Sequence, residues 1–351
     1  MNFVFALIAL SFLIFFHELG HFLVARLFGV KVEVFSIGFG KKLFKKTYGD
    51  TEYALSLIPL GGYVKMKGQD DSDPLSKNAD LDSYTSKTPF QRILILLAGP
   101  FFNIFLAFLI YVGFSYGNHQ VLLPIVGGLQ KDMPAEQSGI LIGDRILEIN
   151  GNVLKTWFDL AHIIQETKDK ATFKIQRGEE VLEVGILPFE VERTNPFGEK
   201  VKIPAIGISP SGEMGNVYCG VFDALRLGIW QTIANGTLII QGIEKLIVGV
   251  VPTSELGGVV GIVQVMNKAQ ENGIAQFLAL VALISINLGV LNLFPIPALD
   301  GGHILFNLYE LIMRRPLNEK AMYYLTLLGW GILLGLMCLG FYNDLNRIFK
   351  E

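Results

Sequence analysis

Residues 17 to 21 read His-Glu-Leu-Gly-His, inside the run SFLIFFHELGHFLVARLFG of residues 11 to 29. Helix positions four apart share a face, so His17 and His21 can turn both imidazoles to one zinc ion while Glu18 reaches a water bound to it. A zinc held this way lowers the pKa of its water toward about 7, and Glu18 is placed as the general base of a hydrolysis. The setting sharpens the point. The run is otherwise apolar enough to span a membrane, where an ionisable side chain costs about 2.5 kcal/mol or more unless paired or used. A packed histidine pair is the plain alternative, and the lack of a basic neighbour for Glu18 before Arg26 argues against it.

A catalytic zinc takes three protein ligands and keeps one position open. The third has to come from elsewhere at the same depth. NLGVLNLFPIPALDGGH, residues 287 to 303, offers Asp300 and His303. Pro295 and Pro297 interrupt an apolar run there, and irregular backbone at membrane depth is tolerated where it is buried in protein or lines a cavity. Asp300 is the expected ligand, projecting from that break. An N-cap role for Asp300, and His303 as the ligand in its place, are the alternatives.

The elements that must position these residues follow from composition. Of 351 residues, 17% are charged and 51% are aliphatic, aromatic or cysteine, the balance of a membrane protein. A net charge of -3, with no basic patch carrying interleaved aromatics, excludes a nucleic-acid binder. Cys219 and Cys338 lie far apart, so neither a disulfide framework nor a thiolate zinc site is expected. Residues 2 to 28, 92 to 116, 276 to 294 and 322 to 341 are each long enough for the ~20-residue span of a bilayer. The first lacks a basic leading segment and a small-x-small cleavage site and runs on past His21, so a retained span is expected rather than a signal peptide. At about 1.5 Å per residue, His17 lies roughly 24 Å along it.

Residues 31 to 92 carry ten lysines and arginines, with Lys41, Lys42, Lys45 and Lys46 close to the first span, which places this stretch in the cytosol. The expected organisation is a first span at 1–30 and a cytosolic, membrane-dipping β region of short strands and a hairpin at 31–91. A second span follows at 92–117, then a soluble module of strands around one or two short helices at 119–190. A tether and an interfacial amphipathic helix occupy 191–275, with the tether at 190 to 216. The third span is 276–301, a cytosolic loop 302–321, the fourth span 322–343, and a tail 344–351.

Topology bears on the third ligand. Were residues 227 to 243 to cross the bilayer, Asp300 would emerge opposite the two histidines. Lying in the interface, as their flanking charges favour, they let the third span run inward to meet them.

HELGH, FSIGFGKKL, LIPLGGYVKM, LAGPFFNIFLA and NLGVLNLFPIPALDGGH, in this order, resemble the site-2 proteases, zinc intramembrane metalloproteases, and among them the bacterial regulator of sigma-E protease type. The resemblance covers nearly the whole chain. It implies an α-helical polytopic membrane protein of four transmembrane helices, with a membrane-associated β-sheet region and an inserted α+β PDZ domain. The last is marked by Pro134, Ala135, Gly139, Gly143, Asp144, Ile146, Ile149, Asn150 and Gly151. It also implies that His17, His21 and Asp300 ligate zinc and Glu18 is the base, and that Asn287 and Asn292 hydrogen-bond the unwound substrate. Interhelical packing is the alternative for these two asparagines. Asn103 is expected to support the fold, and the β region to receive substrate as an added strand. This chain has one PDZ module where some members have two, and Val259 stands where the family's proline is expected.

The implied reaction is peptide-bond hydrolysis within the bacterial inner membrane, with the active site toward the cytosol and the PDZ domain on the extracytoplasmic side. The implied substrate is a single-span protein already shortened by another protease, such as an anti-sigma factor or a signal peptide remnant, in contact with membrane lipid. A zinc transporter would show inverted repeats and charges along a path, and neither is found. An inactive scaffold would need a fourth protein ligand, for which His303 is the evident residue.

Overall fold

The computed structural model describes residues 2–69 and 80–350. Part of the expected β region, positions 70–79, lies outside the described residues. The chain folds as two units, Met1–Phe114 with Leu225–Glu351, and Ser115–Ala224.

The first unit begins with helix α1 (Asn2–Leu27), whose apolar residues run all round it, as in a membrane span. It ends in a Schellman motif: Gly29 adopts φ 68°, its N–H bonds the Arg26 carbonyl, and the Val30 N–H bonds that of Ala25. Strands β1 (Val32–Tyr48) and β2 (Thr51–Met66) follow. The expected short strands are in fact two long ones that bend and pair twice. Val34 to Ile37 face Lys65 to Gly62 in descending order on one side and Glu52 to Leu55 in ascending order on the other, while Lys42 to Tyr48 pair back onto Ser56 to Thr51. The result is a small four-ribbon sheet in which Gly62 to Met66 form an edge, paired among the described residues only with the start of β1. On its outer ribbon Leu43, Phe44 and Tyr48 are exposed apolar residues, as is Leu57 beyond the end of that pairing.

Helix α2 (Pro89–Ser115) opens with a capping box. The Thr88 hydroxyl accepts the Gln91 N–H, and the Gln91 side chain accepts the Thr88 N–H. Gly20 of α1 approaches the Ala98 carbonyl of α2 too closely for any side chain, so the two helices touch backbone to backbone.

In the second unit, β3 (Gly117–Leu122) and β4 (Val126–Leu129) lead to the single-turn α3 (Pro134–Gln137), then β5 (Arg145–Ile149), β6 (Asn152–Val153) and α4 (Trp157–Glu166). Next come β7 (Ala171–Arg177), β8 (Glu180–Ile186), β9 (Phe189–Thr194), β10 (Lys200–Ala205), β11 (Ile208–Pro210) and β12 (Met214–Cys219). A four-stranded antiparallel sheet of order β6-β5-β7-β8 buries Ile146, Ile149, Phe173 and Ile175 against Leu160 and Ile164 of α4. These are the strands around short helices that the sequence implies. The expected tether at 190 to 216 is not one: β9 pairs with β10, β11 returns to β4, and β12 pairs with β3. Ile206, almost fully buried in the unit's core, is the physical reason, because it anchors this segment to the module as its closing strands.

Helix α5 (Val221–Ile247) re-enters the first unit, where Gly228 packs on Val112 and Ile239 and Ile243 join Ala107, Tyr111 and Ile286. Helix α6 (Val259–Glu271) sets Val263 and Met266 against Ala6, Leu10 and Leu13 of α1. Its N-terminus is capped from afar, since the buried Asp344 carboxylate accepts the N–H groups of Gly258 and Gly261 at 3.0 Å. Among the described residues the N–H of Val259, the donor that a proline there would lack, has no such partner. Helix α7 (Ile274–Asn292), α8 (Asp300–Met313) and the 32-residue α9 (Glu319–Lys350) complete the chain. The expected loop at 302–321 is thus largely helix.

Among the described residues four helices, α1, α2, α7 and α9, are long and apolar enough to cross a membrane, and α5 is not one of them. Val281 of α7 meets Leu106 of α2 beside Leu10 and Leu13 of α1, and the last residue of α7, Asn292, meets His17. Helices α1 and α7 therefore run parallel, with α2 antiparallel to both. The chain leaves α2 and enters α7 at one end of the bundle, which brings the end of α7 to the level of the histidines.

Candidate active site

Three polar atoms converge in the apolar bundle. Nε2 of His17 lies 3.2 Å from Nε2 of His21 and 3.2 Å from Oδ2 of Asp300, and the His21–Asp300 distance is 3.5 Å. Both imidazoles are buried, as one face of α1 turned toward α2 requires. The His21 ring is fixed by its other nitrogen: a carbonyl only accepts, so Nδ1–H donates to the Ile95 carbonyl at 2.8 Å and Nε2 keeps a lone pair aimed at the cluster.

Asp300 reaches the histidines because the chain breaks after α7. Helix α8 begins at Asp300, with Leu299 as its N-cap and no side chain capping it, so the N-cap alternative for Asp300 does not hold. The backbone of residues 293 to 297 folds over the first turn of α8. β-carbons on Gly301 and Gly302 would collide with the carbonyls of Leu293, Phe294 and Ile296, which explains the two glycines after the aspartate. His303 sits one turn on, its ring against Phe306 at 5.7 Å, and lies outside the converging group.

Ligand atoms about 2.0–2.1 Å from a tetrahedral zinc stand about 3.3 Å from one another, close to the three separations here. Two imidazoles and one carboxylate are the donor set of an open, catalytic zinc site rather than a closed structural one. Among the described residues no other set of three histidine, cysteine or carboxylate side chains converges in this way.

The cluster opens into a cavity of about 820 Å³. Glu18 lines it, packed under the sheet where a β-carbon on Gly62 would stand 3.3 Å from its Cγ. The edge strand Gly62 to Met66 forms one wall, and Tyr323, Thr326, Leu327 and Trp330 of α9 form another. Their i, i+3, i+4, i+7 spacing puts these four residues on one face of α9, but the sequence does not say what that face meets. They are wall residues only because α9 folds back beside the site.

The asparagines part company. Nδ2 of Asn292 is 3.4 Å from Nε2 of His17, at the cluster. Asn287 faces away, into a separate cavity of about 330 Å³ lined by Ile239, Ile243 and Leu246 of α5 and by Leu283 and Ile284. Five residues of helix turn a side chain by about 140°, so the two asparagines face different ways and of the two only Asn292 lies at the cluster. Asn103, expected only to support the fold, is fully buried with Nδ2 3.4 Å from Nδ1 of His17. Its spacing of four from Gly99 was the available signal.

The model of peptidase family M50 matches residues 5–336. A protein of Campylobacter jejuni, provisionally named a zinc metalloprotease, is 44% identical over 351 residues, covering 100% of this chain and 95% of its own. One of Helicobacter pylori with the same provisional name is 42% identical, covering 99% of each chain. Among solved structures, the PDZ domain of an SdrC-like protein from Listeria innocua is 24% identical, covering 25% of this chain and 92% of its own with a TM-score of 0.21.

Proposed function

Because the chain belongs to peptidase family M50, the site-2 proteases, and is a membrane zinc metalloprotease, we propose that it hydrolyses peptide bonds of single-span transmembrane proteins within the membrane, with His17, His21 and Asp300 holding the zinc. The observation that carries this reading is the convergence of those three side chains in the lining of a cavity walled by apolar helices and by the Gly62 to Met66 edge, which among the described residues pairs only with the start of β1. Zinc in such a site supplies Lewis acidity, which acidifies water and polarises the scissile carbonyl.

The protein's own groups do the rest. Glu18 takes the proton from the attacking water and returns it to the leaving nitrogen. A transmembrane helix hides its carbonyls in i to i+4 bonds, so the substrate has to unwind, and the Gly62 to Met66 edge offers its backbone new partners. Asn292, beside His17, is positioned to hydrogen-bond the strand once it is in place. Glycine, proline or polar residues in the substrate favour that unwinding.

The exposed Lys41, Lys45 and Lys46 on the sheet beside the site end of α1 support a cytosolic location for that end in a bacterial inner membrane. We read the Ser115–Ala224 unit as a PDZ module on the opposite side, acting on substrates already trimmed outside the membrane, such as an anti-sigma factor or a signal peptide remnant. The scaffold reading loses its main support because His303 does not close the site.

The test is zinc content together with cleavage of a tagged single-span reporter, trimmed to a short outer segment, by wild-type and Glu18→Gln protein in the same membranes. Cleavage lost with zinc retained is expected. Equal cleavage by both proteins would reject the role of Glu18.

A further inference from the structure

Helix α2 meets the two histidines along a single stripe. Ile95, Gly99 and Asn103 are spaced by four and lie on one face. The Ile95 carbonyl takes the Nδ1–H of His21, Gly99 leaves room for both rings, and Asn103 stands against Nδ1 of His17. His21 thus has its outer nitrogen satisfied by an acceptor, and His17 calls for the same.

A neutral imidazole carries one N–H and one lone pair. If Nε2 of His17 is the metal's ligand, Nδ1 bears the hydrogen and needs an acceptor. As placed, the amide nitrogen of Asn103 faces Nδ1, so two donors oppose each other at 3.4 Å. Meanwhile Oδ1 of the same side chain is buried with no hydrogen-bond partner among the described residues. The two ends of a carboxamide have the same shape, and the surrounding network decides which is which. Turning the amide over brings Oδ1 to Nδ1–H and gives both a partner, and Nδ2 then moves to where Oδ1 stood. The residue is firmly held in place, because its own carbonyl accepts the Ser285 hydroxyl of α7 at 2.7 Å, which pins α2 to α7 at the level of the site.

We propose that Asn103 is a positioning residue whose side-chain oxygen accepts the Nδ1–H of His17 and so fixes the tautomer that presents Nε2 to zinc. This rests on the reading of His17 as a zinc ligand. It explains why an asparagine, with an acceptor, occupies a fully buried position in an otherwise apolar helix segment.

The test measures zinc affinity of the full chain in detergent, by competition with a chelator, for wild type, Asn103→Asp, Asn103→Leu and His17→Ala, with unfolding of each metal-free protein in parallel. Asn103→Asp keeps the acceptor and retains affinity within a few-fold. Asn103→Leu keeps the size without the acceptor and loses about 10–100-fold, the range for residues that support a ligating histidine, while the metal-free protein unfolds as wild type does. Asn103→Ala repeats the measurement if the leucine variant does not fold. Wild-type affinity in the Leu or Ala variant, or equal loss in Asp and Leu, overturns the proposal. Undiminished affinity in His17→Ala would instead sink the ligand reading on which it rests.

Discussion

Gly99 on α2 fits so closely against His21 on α1 that a β-carbon at Gly99 would overlap the imidazole Nε2, and it would also crowd Cε1 of His17 at 2.8 Å. The two rings keep their place because α2 has no side chain there. Gly99→Ala is therefore expected to push the imidazoles apart, with about 1–3 kcal/mol of overpacking strain and weakened zinc binding. Gly113, on the same helix, has open space around its would-be β-carbon. Gly113→Ala should be neutral, or stabilising by up to about 1 kcal/mol from helix propensity alone. Zinc content and thermal unfolding of the two variants check the contrast, and equal behaviour would contradict it.

Asp300 and His303 lie three residues apart, and only the first converges with the histidines. Asp300→Asn should purify with little zinc, a loss at least as large as the 10–100-fold typical of supporting residues. His303→Ala should keep its zinc. Metal analysis of both variants decides the matter, and the reverse pattern would make His303 the ligand.

Asn292→Leu removes an amide at the cluster, whereas Asn287→Leu changes a cavity facing α5. Turnover of the reporter should fall about tenfold or more in the first, the value of one good hydrogen bond to the reacting strand. The second should stay within a few-fold of wild type. A larger loss at Asn287 would mean that substrate contacts the second cavity as well.

In the Ser115–Ala224 unit, Asp144 is buried and takes two hydrogen bonds from the Arg177 guanidinium at 2.8 Å and one from the Leu141 N–H. Burial pushes its carboxyl up, but Arg177 and the Leu141 N–H outweigh this and hold it below the usual carboxylate range. A depressed folded value means that the stabilisation is fully present above the unfolded pKa of about 3.9 and is lost as pH falls through the folded one. Hydrogen-exchange protection of β5 and β7 in the whole protein should hold from pH 7 to about pH 5 and decline below about pH 4. Asp144→Asn should lower protection at neutral pH by about 1.5–3 kcal/mol and remove that acid step. An unchanged acid step in the variant would assign it to other groups.

How much of this was legible in the sequence depends on how local the cause is. HELGH needs only helix periodicity, so His17, Glu18 and His21 could be read directly, and apolar runs longer than a bilayer marked α1, α2, α7 and α9. The ordering of 190–216 into strands could not be read, because its cause is Ile206 filling a core built from residues far away in sequence. The choice of Asp300 over His303, the parting of Asn287 from Asn292, and the walls that β2 and α9 lend to the cavity all turn on which way a helix faces after a break or a crossing. By itself the sequence determined that two histidines and a glutamate share one part of a helix, because that is a short-range arrangement. Only the tertiary structure decided which distant groups complete and support it, because Gly20, Gly99 and Gly301 set how closely backbones approach, and that spacing exists only once the helices are packed.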